Sequence, residues 1–129
     1  MGASIRILIA EDHAVVREGT RRILEDQSDL IVVAEAVDGE DAIKKTGISH
    51  PDVVILDIRL PLMNGIETTR QLRKAYPNTK ILILSAFDDD DYVFALIEAG
   101  ITGYMLKTAS AAEIVAAVCK AAKTETFYY

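Results

Sequence analysis

The chain has one cysteine in 129 residues, Cys119, so no disulfide can form within it. Cys119 falls among Val115, Val118 and Ala122 and reads as a small hydrophobe rather than a reactive thiol. No apolar run approaches the ~20 residues that a membrane-spanning helix needs. Positive charge is in deficit: 14 Lys and Arg stand against 20 Asp and Glu, a formal net charge of −6. That argues against a domain that itself coats a phosphate backbone. There is no internal repeat, low-complexity tract or Pro/Gly-rich linker. The opening MGAS is too short for a secretory signal, and the IRILIA that follows lacks a small-residue cleavage pattern. What remains is a chain of one domain's size, 50% apolar, able to build a real core. A cytoplasmic module with no membrane association is the expectation.

Short apolar runs alternate with longer amphipathic ones. The runs are Ile5–Ala10, Ile31–Ala36, Val53–Leu56, Ile81–Leu84 and Tyr104–Leu106. They are nearly continuous rather than alternating, the mark of strands buried on both faces in a parallel sheet. Helical signals fill the gaps. Val16, Thr20, Ile23 and Leu24 recur at helical spacing, and Asp38 can cap a helix holding Ala42 and Ile43. Asn64 with Glu67 resembles a capping box, and Pro77 stops the helix that follows. Asp89 to Asp91 suit the positive start of a helix that carries Val93, Leu96 and Ile97 and ends at Gly100. Ser110 and Glu113 form a second capping box. Five βα units with right-handed crossovers predict an α/β fold. Its core is a single five-stranded parallel sheet, doubly wound and flavodoxin-like, with five helices, and strand order 2-1-3-4-5 is one common solution.

That fold gathers polar residues on one rim. The first strand ends in Glu11 and Asp12, the third in Asp57, the fourth in Ser85 and the fifth in Lys107. Ligands bind outside the carboxyl ends of such strands. Two carboxylates ~4 Å apart repel by about 4 kcal/mol at an effective dielectric of 20. Three acids therefore call for more cation than Lys107 supplies, and an oxygen-rich site suits Mg²⁺. A metal beside a lysine and a hydroxyl is prepared for a phosphoryl group, with Asp57 as metal ligand, nucleophile or both. Taken singly, each residue has an ordinary reading. Glu11 or Asp12 alone could cap a helix, Asp57 could end a strand, and Lys107 could be a solvated surface lysine. The conjunction on four strand ends carries the weight.

The combination resembles the receiver domain of bacterial two-component response regulators, over about Ile5 to Lys123. The matching pieces are AEDH with the acid pair, DIRLPLMNG with Asp57, Pro61 and Gly65, LSA at Ser85, and GYMLK ending at Lys107. The segments EDHAVVREGTRRIL, VVAEAVDGEDAI and AGITGYMLKTAS are similar to the subfamily with a C-terminal helix-turn-helix of LuxR type. The resemblance implies roles residue by residue. Asp57 would take a phosphoryl group from a phosphohistidine of a sensor histidine kinase. Asp12, Asp57 and the Arg59 carbonyl would hold Mg²⁺, with Glu11 acting through water. Lys107 would pair with the phosphoryl group, Ser85 would move to hydrogen-bond it, and Tyr104 would rotate inward as a switch. Such a domain assists its own phosphorylation and dephosphorylation without being an enzyme in the ordinary sense.

The resemblance also sets expectations for the chain's organisation. Residues 1–4 form a disordered or adventitious terminus, 5–124 the receiver domain, and 125–129 the start of a linker to an output domain. A second copy of the chain is a further candidate partner, and DNA would be reached only through the absent output domain. Departures from the family pattern are Thr108 in place of a common proline, Ser85 for threonine, and Ala14 for proline. Arg59 and Phe87 flank the pocket at positions the family uses to tune phosphate lifetime. His13 is expected to point outward and to take no metal role, His50 has no paired ligand nearby, and Met63 is expected to pack beneath the loop. The competing readings are a degenerate receiver that serves only as a docking module, an aspartyl-phosphate hydrolase and a flavodoxin-like cofactor binder. The last would need a Ser/Thr/Gly-rich phosphate loop where this chain has EDHAVV.

Overall fold

In the computed structural model, residues 4–60, 63–86, 90–123 and 127–128 are described. Pro61, Phe87, Asp88, Asp89 and the first three residues lie outside them. The order is β1 (Ile5–Ala10), α1 (Ala14–Glu25), β2 (Leu30–Ala36), α2 (Gly39–Ser49), β3 (Val53–Leu56), α3 (Gly65–Ala75), β4 (Lys80–Ser85), α4 (Asp90–Ala99), β5 (Gly103–Leu106), α5 (Ala111–Ala122) and β6 (Phe127–Tyr128). The strands form one sheet in the order β2-β1-β3-β4-β5-β6, and every pairing is parallel. The five expected strands thus take the expected order. The two-residue β6 is an addition at the β5 edge, too short to leave a periodic signal in the sequence.

The continuous apolar runs are explained by two cores, one on each face. Ile7 and Ile9 pack with Leu24 of α1 and with Ile114, Ala117, Val118 and Ala121 of α5. Leu8 and Ala10, pointing the other way, pack with Ala42 of α2, Leu72 of α3 and Leu96 of α4. A strand with alternate residues on opposite faces must be apolar at every position when both faces are covered. Cys119 is half-buried against the first core, and burial pushes its thiol pKa up, as suits a packing residue.

Local sequence chemistry ends the helices where expected. The Asp38 carboxylate accepts from the Asp41 N–H at 2.7 Å. The Asn64 side chain accepts from the Glu67 N–H at 3.0 Å, one half of the expected box. Ser110 and Glu113 make both halves. Gly100 closes α4 at φ 104, a conformation natural only to glycine. His50 does the same for α2 at φ 49, which no sequence signal announced. No cis peptide bond occurs among the described residues, so Lys107–Thr108 is trans.

Candidate functional site

The site is built where the sheet ladder runs past the strand ends. The Glu11 N–H donates to the Ala36 carbonyl at 2.9 Å, the Asp57 N–H to the Ala10 carbonyl at 3.1 Å, and the Lys107 N–H to the Ser85 carbonyl at 2.6 Å. Each functional residue is therefore held by its neighbour strand before its side chain makes any contact. After Asp57 the chain turns sharply. The Gly65 N–H donates to the Ile58 carbonyl at 2.9 Å, and a methyl group on Gly65 would lie 2.6 Å from the Ile58 Cα. Only glycine allows the α3 start to sit this close beneath the loop.

The side chains converge as expected for four residues. Lys107 Nζ donates to Glu11 Oε1 at 2.6 Å and to Asp57 Oδ2 at 3.1 Å. Glu11 and Asp57 are buried, with 4% and 6% of their surface exposed, so neither carboxylate can rely on water for its charge. The Arg59 N–H donates to Asp57 Oδ1 at 3.2 Å. One donor atom each from Glu11, Asp12, His13 and Asp57 lies within 4.8 Å of all the others. Ser85 is fully buried at the end of β4. Tyr104 is also buried, at 1% exposure, so its ring is already turned inward in this structure. Burial alone would lower the Lys107 pKa, but its hydrogen bonds to Glu11 and then Asp57 outweigh that and raise it. The ammonium is thus firmly charged.

His13 meets its outward expectation only in part. Its side chain is 70% exposed, but Nδ1 is turned back, 3.1 Å from Glu11 Oε2 and 3.3 Å from Asp12 Oδ1. Sequence reasoning also missed Arg17. Its Nη1 donates to the Glu11 carbonyl at 2.9 Å and its Nε to Glu35 Oε1 at 3.1 Å, tying α1 to the acid-bearing turn and to β2. Position i+4 from His13 on α1 was the only available hint. Met63 is half-buried beside Gly39 and Thr68, consistent with packing.

Two carboxylates share the Lys107 ammonium here, and a third, Asp12, stands beside them. The donor set is hard and oxygen-rich, so these residues fit a divalent cation. The turn after β1 is acidic, without the Gly-rich backbone nest that would cradle a bare phosphate.

The family model of the response regulator receiver domain matches residues 7–119. The chain belongs to this family. It is 41% identical over 124 residues to the uncharacterized transcriptional regulatory protein YxjL of Bacillus subtilis, covering 96% of this chain and 57% of that one. The receiver domain of the putative response regulator NarL from Mycobacterium tuberculosis superposes with a TM-score of 0.91 at 34% identity, covering 95% of this chain and 98% of the other. A LuxR-family two-component response regulator from Aurantimonas sp. SI85-9A1 gives 0.92 at 34% identity, covering 97% and 89%. The chain spans a little over half the length of curated relatives such as YxjL. As a receiver domain it is a phosphoaccepting signalling module of the two-component type, and its similarities lie with LuxR-type transcription regulators. No helix among the described residues is long and apolar enough to cross a membrane.

Proposed function

We propose that Asp57 of this receiver domain is the residue that accepts the phosphoryl group, from a phosphohistidine of a sensor histidine kinase. The single observation that carries this reading is the Lys107 bridge between Glu11 and Asp57, at 2.6 and 3.1 Å. It fixes one Asp57 oxygen on a cation at the rim of the sheet. In the reaction a carboxylate oxygen of Asp57 forms a bond to phosphorus as the phosphorus–nitrogen bond breaks. The electron pair stays on the imidazole nitrogen, which takes up a proton. Lys107 is placed to follow the charge onto the phosphoryl oxygens.

Glu11, Asp12, Asp57 and the Arg59 carbonyl are the groups that would hold Mg²⁺. When bound, Mg²⁺ supplies positive charge against the phosphoryl oxygens. The new group carries about −1.5 to −2 charges. Donors such as the Ser85 hydroxyl, reaching it in one arrangement only, bias the domain toward that arrangement, with Tyr104 as the reporting side chain. Water held near the same groups would later hydrolyse the acyl phosphate. Residues 5–124 are the functional unit. An output domain that binds DNA would be joined to this unit, in a cytoplasmic protein that can pair with a second copy; the expected linker over 125–129 gives way at Phe127–Tyr128 to β6, which extends the sheet.

The test is incubation with acetyl phosphate and Mg²⁺ followed by intact mass. The wild type gains one phosphoryl group, and Asp57→Asn or chelation of the metal abolishes the gain. Label retained in Asp57→Asn would refute the assigned acceptor. No label on the wild type would favour a docking module that works without phosphate.

A further inference from the structure

His13 is the N-cap residue of α1, yet its side chain makes no capping hydrogen bond. Its main-chain N–H and its Nδ1 both lie 3.1 Å from the same oxygen, Glu11 Oε2. Nδ1 is also 3.3 Å from Asp12 Oδ1. A histidine that served only solubility would have no need to turn onto two carboxylates. A ring nitrogen of His13 also belongs to the group of four donor atoms, with Glu11, Asp12 and Asp57, that lie within 4.8 Å of one another. Two donors on one ion at ~2.1 Å stand at most about 4.2 Å apart. Only a small contraction would therefore let all four share a cation.

An imidazole changes which cation a site prefers. Carboxylate, carbonyl and water suit Mg²⁺, whereas imidazole nitrogen suits Co²⁺, Ni²⁺, Cu²⁺ and Zn²⁺. We propose that His13 is a specificity-determining ligand, whose Nδ1 beside the Glu11 and Asp12 carboxylates lets this centre hold a late first-row divalent cation more tightly than its oxygen donors alone would. The inference rests on the reading that Glu11, Asp12 and Asp57 hold a divalent metal. It adds that the occupant responds to which metals are available, so a late ion competes with Mg²⁺ for the phosphorylation site.

Late ions bind carboxylates more tightly than Mg²⁺ in any case, so the test must be a difference between variants. Co²⁺ and Mg²⁺ are titrated separately into the wild type, His13→Ala and His13→Asn. Calorimetry gives the affinities, and the visible d–d band of Co²⁺ reports its ligands. Asn is a strong N-cap residue, so His13→Asn guards against a helix that starts poorly. The expected result is a Co²⁺-to-Mg²⁺ affinity ratio at least tenfold lower in both variants, with a changed Co²⁺ band. An unchanged ratio and band, with Mg²⁺ still bound and still lost in Asp57→Asn, would overturn the role of His13 and leave the metal site standing. Failure of both ions to bind the wild type would overturn the metal reading and this inference with it.

Discussion

Two ion clusters flank the same turn and differ in both burial and balance. Around Glu35, Arg17 donates at 3.1 Å and Arg21 at 2.5 Å, and Arg21 also pairs with Glu25 at 2.8 Å. Two acids meet two guanidinium groups, and their side chains keep between 18% and 42% of their surface in solvent. At the rim of the sheet, Lys107 bridges Glu11 and Asp57, both buried, and Asp12 stands beside them within the same group of donor atoms. The first cluster is complete in itself. In the second, three carboxylates outnumber the bridging ammonium by two, and the buried Glu11 and Asp57 cannot rely on water for the difference. Buried charge left unbalanced in this way is typical of sites that a ligand completes.

Removing Lys107 from the unbalanced cluster should have the largest effect. Lys107→Met keeps most of the aliphatic stem and leaves two buried carboxylates without their partner. A loss of about 2 kcal/mol is expected, below the usual figure for a buried pair because the ammonium is partly exposed. Urea unfolding without divalent ions measures it, and added Mg²⁺ should recover part of the loss. An unchanged midpoint would erase the distinction between the clusters.

Alkaline pH sharpens the comparison without a second mutation. The Lys107 pKa is raised on folding: burial opposes the charge, and the hydrogen bonds to Glu11 and Asp57 more than compensate. A group whose folded-state pKa is raised gives stability that is fully present below its unfolded value, about 10.4 for lysine. That stability is lost as pH rises through the folded value. The gap between wild type and Lys107→Met should therefore be flat from neutral pH to about 10 and close above it. A gap that closed below pH 9 would contradict the pairing.

The balanced cluster should yield the smallest effect. Glu35→Gln should change stability by less than about 1 kcal/mol, and the change should shrink in high salt. A loss as large as that of Lys107→Met would mean that the clamp from Arg17 to the Glu11 carbonyl matters more than its exposure suggests.

The fold was legible because both faces of the sheet are covered. Val53 to Leu56 is apolar at every position for a reason that topology alone supplies, and Asp38, Asn64 and Ser110 act through neighbours three residues away. The core of the site was legible for the same reason: Glu11, Asp57 and Lys107 each follow an apolar run, so the topology delivers them to one rim. What escaped was the orientation of flexible groups and pairing across elements. The ring of His13 turns about its own bonds, which no spacing predicts. Arg17 and Glu35 are 18 positions apart, and either could equally have been a solvated surface charge. The left-handed His50 had neither glycine nor asparagine to mark it, and β6 has two residues, too few for any pattern.

The most direct test of the unbalanced rim is a calorimetric Mg²⁺ titration of the wild type beside Asp57→Asn and Glu35→Gln. One saturable site in the wild type and in Glu35→Gln, lost in Asp57→Asn, is the expected result. An isotherm without saturation in the wild type, or one that Asp57→Asn leaves unchanged, would contradict the claim that these buried acids are held for a cation.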